Sequence, residues 1–114
     1  MKFSVAIMCL MFPIAAHAQQ AWGNLSGCER TAGKTESSDS VFILWPDRIE
    51  RWESSCTIVG FEGDLNTRSI IETECTGEGE TWTQTYGMTP VGDDIYTIWP
   101  VDSPEFITEL RLCE

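Results

Sequence analysis

Histidine is almost missing from this sequence: His17 is the one copy in 114 residues. Lysine is nearly as scarce, occurring only as Lys2 and Lys34. These shortages exclude the familiar nucleophile-activating sets, since Ser-His-Asp and Cys-His arrangements both need an imidazole near the working residue. A G-x-S-x-G elbow is also absent, and Lys34 has no S-x-x-K context. The cysteines never fall in C-x-x-C spacing, which removes the usual zinc and thioredoxin-like redox motifs. Seven Lys and Arg stand against eighteen Asp and Glu. With no basic cluster to hold phosphate, the chain is poorly suited to nucleic acid or to an anionic membrane. No apolar run is long enough to span a bilayer, and no stretch keeps helical periodicity over ten residues.

The first apolar run has another explanation. Lys2 supplies a positive start, residues 3–14 are mostly apolar, and Ala16-His17-Ala18 matches the small-x-small pattern of a signal peptidase site. Cleavage after Ala18 is expected, making residues 1–18 an export signal and residues 19–114 a single domain. Met8 suits lipidation of Cys9 poorly, so a secreted or periplasmic chain without a lipid anchor is the better reading. Loss of the signal removes His17, Lys2 and Cys9. Six Lys and Arg then oppose eighteen Asp and Glu, a net charge of −12. Such acidity either keeps an exported protein soluble or attracts a basic protein or cationic ligand.

Four cysteines remain: Cys28, Cys56, Cys75 and Cys113. In a short exported chain they read as two disulfides, which help offset the small core that such a chain can bury. Between them lie short apolar runs separated by turn chemistry. The stretch "AWGNLSGCER" is expected to hold a first strand carrying Trp22 and Leu25, and "TAGKTESSDS" (31–40) a loop. "VFILW" (41–45) is stopped by Pro46-Asp47, a type I turn pair, and "RIERWES" (48–54) returns with Ile49 and Trp52 as apolar anchors. A hairpin joins "CTIVGF" (56–61) to "RSIIETEC" (68–75). If its centre lies between Leu65 and Asn66, Cys56 faces Cys75, Ile58 faces Thr73 and Phe61 faces Ile70. Opposed strand residues approach closely enough for a disulfide. This register favours Cys56 with Cys75 and leaves Cys28 for Cys113.

Further strands are expected in "TWTQTYGM" (81–88), "IYTIW" (95–99) and "EFITELRLC" (105–113), where Phe106, Thr108, Leu110 and Leu112 share a face. A turn falls in "TPVGDD" (89–94). The fold class is therefore all-β: a small antiparallel meander of about eight short strands, forming a barrel or sandwich with two disulfides.

The nearest approach to a chemical motif is "ECTGEGETW" (74–82). Glu78 and Glu80 share a strand face, yet they lack the D-x-[DN]-x-[DN]-G spacing of a calcium loop. A catalytic pair would need a desolvating cleft to raise one pKa. Gly77 and Gly79 instead mark a solvated turn beside a cysteine. No cofactor motif and no metal site are expected, and the protein reads as a non-enzyme. Glu78 and Glu80 are the residues a catalytic reading would test first. Asn24-Leu25-Ser26 also matches a glycosylation sequon.

Five tryptophans are many for so short a chain: Trp22, Trp45, Trp52, Trp82 and Trp99. They fill the core or line a barrel pocket. Trp45, Trp52, Trp82 and Trp99 are the candidate ligand-binding residues. The early Trp before Cys28, "WESSC" (52–56), "CTGEGETW" (75–82) and the final "LRLC" together resemble small exported bacterial proteins of uncharacterised function with a C-x-G-E-G segment. That resemblance implies a periplasmic location, a compact β fold and two bridges, with no known active site. A weaker similarity is to periplasmic lysozyme inhibitors, whose S-G-x-x-Y loop is replaced here by Ser26-Gly27-Cys28-Glu29-Arg30. The leading expectation is an exported, non-enzymatic binding or envelope protein recognising a partner through its acidic face. The alternatives are a carrier of a small apolar or cationic molecule and an inhibitor of a basic periplasmic hydrolase.

Overall fold

The computed structural model describes residues 20–34 and 40–114. The expected export signal, residue 19 and residues 35–39 of the polar loop lie outside the described residues. The described residues form eight strands and one short helix: β1 (Trp22–Gly23), α1 (Leu25–Thr31), β2 (Phe42–Leu44), β3 (Arg48–Arg51), β4 (Ser55–Asp64), β5 (Arg68–Gly77), β6 (Glu80–Gly92), β7 (Ile95–Pro100) and β8 (Thr108–Leu112). Each strand pairs antiparallel with the next, and β8 returns to β1, so the meander is a closed barrel. Closure removes the two terminal sheet edges that an open meander would expose.

Strand β2 explains the unbroken apolar run of residues 41–45. Phe42 and Leu44 point into the barrel with Ile49, Ile71, Tyr86, Met88, Ile98 and Leu110. Val41 and Ile43 form a second cluster with Ala21 outside it. Helix α1 seats on this outer face so closely that a Cβ on Gly27 would stand 2.3 Å from the Phe42 carbonyl oxygen. Both faces of β2 are therefore dry, and alternation disappears from its sequence.

Both disulfides join the expected partners, Cys28 to Cys113 and Cys56 to Cys75. The second lies inside the barrel, with Cys56 2% and Cys75 1% exposed. In the opening of the hairpin the register is as expected, with Cys56 facing Cys75 and Ile58 facing Thr73. Beyond them it departs: a bulge between Ile58 and Gly60 sets Phe61 opposite Ile71, not Ile70. The extra residue turns Phe61 onto the inward face, because directly opposed residues share a face and Ile71 is a core residue.

Other expectations need correction. Leu25 is in α1 and 77% exposed, so the first strand is only two residues long. Asn24 ends that strand by capping the helix. Its Oδ1 accepts from the Gly27 and Phe42 amides at 2.8 and 3.1 Å, and its Nδ2 donates to the Ser40 carbonyl. The sequon carboxamide is thus committed to the fold. Strand β3 stops at Arg51, where the Arg51 amide donates to the Ser54 carbonyl and turns the chain. Trp52 consequently stands 38% exposed and anchors no core. Strand β6 runs on through Pro90 to Gly92, leaving only Asp93 and Asp94 in the turn. Strand β8 begins at Thr108, so Phe106 and Ile107 lie outside it and are exposed.

Candidate ligand-binding site

In an antiparallel meander the turns alternate between the two barrel ends. Turns β2–β3, β4–β5 and β6–β7 therefore ring one end, while β3–β4 and β5–β6 lie at the other. The first end contains a cavity of about 250 Å³. Leu44, Ile58, Ile71 and Met88 form its walls from β2, β4, β5 and β6. Trp22 of β1 and Tyr96 of β7 complete them as an edge-to-face pair, 6.3 Å between centroids and 80° between planes. Trp45, Pro46, Phe61 and Leu65 surround the mouth, the last two about half exposed.

Among the described residues, no charged side chain lines this cavity. Its aromatic rim is nevertheless held by charge from behind. The Trp45 indole Nε1 donates to Glu50 Oε1 at 2.6 Å, and the Arg48 guanidinium lies 4.7 Å from the indole centroid. Arg48 is itself fixed by Asp47 at 2.9 Å and Glu50 at 3.3 Å. The Pro46-Asp47 turn brings this set together, since Trp45 and Arg48 are its first and last residues. The rim ring therefore keeps one orientation without a ligand, which lowers the ordering cost of binding. The indole Nε1 of Trp22 is buried with no hydrogen-bond partner among the described residues, as is Ser69 Oγ on the same inward face as Ile71.

The four tryptophans expected to bind ligand do not share one site. Trp45 is at the cavity mouth. Trp52 and Trp82 are at the opposite end, across a polar cleft that also includes Glu53, Glu78 and Glu80. Trp99 lies on the outside of the barrel over Gly87, where a Cβ would approach its ring to 2.7 Å, with the Arg68 guanidinium 5.6 Å from the ring. Trp22 and Tyr96 in the wall and Phe61 at the mouth are the aromatic lining residues that sequence reasoning missed. Alternation in "IYTIW" sets Tyr96 on the same face as buried Ile98 and was the available signal. No comparable signal existed for Phe61, whose inward position depends on the bulge.

Glu78 and Glu80 belong to the β5–β6 hairpin. Glu78 (φ 51°) and Gly79 (φ 80°) form its two-residue loop, with Gly77 opposite Glu80. Among the described residues, no group of three or more His, Cys, Asp or Glu is placed to hold a metal ion. Among the same residues, no helix is long and apolar enough to cross a membrane. The two disulfides fit an oxidising extracellular or periplasmic compartment. Comparison with known proteins returns no match to a family model, a curated protein or a solved structure.

Proposed function

We propose that this is an exported, non-enzymatic binding protein that holds one small apolar molecule in the mouth of its barrel. The observation supporting this reading is the cavity of about 250 Å³ with an all-aromatic and aliphatic lining and a pre-oriented Trp45. Its lining offers no nucleophile and no acid–base pair, so its chemistry is that of binding. The volume falls just below the usual range for drug-sized ligands, which favours a compound of about ten to fifteen non-hydrogen atoms. At roughly 25 cal/mol per Å² of apolar surface, burying about 250 Å² contributes about 6 kcal/mol before association costs. Association costs reduce this, so a plain hydrocarbon-like ligand is expected to bind with a Kd of about 100 μM or weaker.

Calorimetric titration with 1-naphthol tests the reading. Saturable one-to-one binding is expected, at least tenfold weaker in Leu65→Asp. Leu65 is 46% exposed at the rim, so this variant retains the fold while placing a charge at the mouth. Trp52→Ala, at the far end, leaves the affinity unchanged. Absence of saturable heat, or equal affinity in wild type and Leu65→Asp, contradicts the proposal.

A further inference from the structure

The inward face of β6 outruns the barrel that it helps to line. Met88 and Tyr86 on that face are 2% and 4% exposed, Gln84 is half-buried, and Trp82 is 41% exposed. The cause lies in the pairing. Strand β7 joins β6 only from Tyr86 onward, with a last bond from the Val101 amide to the Thr85 carbonyl. Along residues 80–84, β6 pairs with β5 alone among the described residues, so none of these places a strand beside its other backbone edge.

Across a cleft from the Trp82 and Glu80 side chains of this stretch lies the β3–β4 turn. A Cβ on Gly77 would lie 2.8 Å from the Glu53 carbonyl oxygen and from Ser54 Cβ, so the missing side chain lets the turn close over the end of β5. Trp52 is thereby held across a cleft of about 390 Å³ from Trp82. Three carboxylates, Glu53, Glu78 and Glu80, line the cleft, and none of them forms an ion pair among the described residues. The cation in the lining, Arg51, is engaged elsewhere: its Nε donates to the Val41 carbonyl and its guanidinium lies 4.6 Å from the Phe42 ring.

We infer that this end of the barrel docks a basic, extended polypeptide segment as an added strand on β6. The backbone edge at residues 80–84 supplies the ladder. Alternate side chains of an added strand share the inward face with Trp82 and Glu80. A guanidinium or ammonium there meets indole faces and uncompensated carboxylates together, a pairing that suits cations with a flat or aliphatic stem. The acidity of the whole chain steers such a segment toward the cleft. This site is independent of the apolar cavity, which opens at the other end.

Fluorescence anisotropy with a labelled decapeptide of alternating arginine and threonine tests the inference. Saturable binding is expected, weakening at least tenfold in Glu80→Arg and in the Trp52→Ala/Trp82→Ala pair, and severalfold between 50 and 500 mM salt. These side chains are exposed, and Glu80→Arg in particular leaves the core untouched, so loss of binding there is not loss of fold. The same peptide with every backbone amide methylated keeps its charge but has no N–H to give to a ladder on either edge, and is expected to bind at least tenfold more weakly. Equal binding of wild type and Glu80→Arg would reduce the effect to general attraction by an acidic surface and overturn the inference. Undiminished binding of the methylated peptide would overturn it too, leaving a site for cations alone. Leu65→Asp is expected to bind the peptide as wild type does.

Discussion

A methyl group at Gly27 would press on the Phe42 carbonyl oxygen, Asn24 Oδ1 and Ile43 together, at 2.3, 3.0 and 3.0 Å. Backbone oxygen has little room to yield. Gly27→Ala is therefore expected to lower stability by about 1–3 kcal/mol, the range for overpacking a close contact, as read from urea unfolding. An unchanged midpoint would mean that α1 does not seat directly on β2. At Gly87 the same logic acts on the outer surface, where Trp99 covers the space a side chain would fill. Neither glycine's role was legible in the sequence, because each depends on a neighbour brought up by the fold. Buried alternation along strands, such as Ile71, Thr73 and Cys75, could be read from spacing. The tryptophans could not, because indoles serve equally as cavity wall (Trp22), rim (Trp45), outer cover (Trp99) or exposed cleft (Trp52, Trp82). Only tertiary position separates those roles.

Among the elements, α1 is the one that periodicity could not reveal. Seven residues make two turns, too few for a pattern, and such a helix forms only because other parts hold it. Asn24 is the main holder, bonding Gly27, Phe42 and Ser40 through one side chain. Asn24→Ala is expected to cost about 1–2 kcal/mol, the upper part of the range for a lost N-cap, measured by thermal or urea unfolding. A change below a few tenths would show that the Cys28–Cys113 bridge alone secures the helix. The hairpin from β4 to β5 was readable up to Ile58, because Cys56, Cys75 and the turn residues agree on one register. Past the bulge that agreement ends. The bridges also differ in access: Cys28 and Cys113 are half-buried, whereas Cys56 and Cys75 are sealed in the core. Limiting reductant followed by alkylation and mass mapping is expected to open Cys28–Cys113 first, since exchange requires a thiolate to reach the sulfur. Earlier loss of Cys56–Cys75 would contradict the buried placement.

At the scale of the whole molecule, the meander places two unlike sites at opposite ends of one barrel. One is apolar; the other is polar, acidic and bordered by a strand edge unpaired among the described residues. The antiparallel meander and both bridges followed from strand count and cysteine spacing; closure did not, because the same number of strands also builds a sandwich. The cavity did not, since its walls come from β1, β2, β4, β5, β6 and β7 and include Phe61 only by virtue of a bulge. The acidic surface also bears on how the two sites will behave. Peptide docking at the cleft should weaken with salt because exposed charges are screened within about 10 Å at 0.1 M. Binding in the apolar cavity should not weaken, since the hydrophobic term does not depend on screening. The most direct test of the apolar site uses the five tryptophan indole N–H resonances of the nitrogen-15-labelled protein as position markers during a 1-naphthol titration. Saturable shifts confined to Trp22 and Trp45, with Trp52, Trp82 and Trp99 unmoved, are expected. Shifts centred on Trp52 and Trp82, or none at all, would place the ligand elsewhere and contradict the barrel-mouth site.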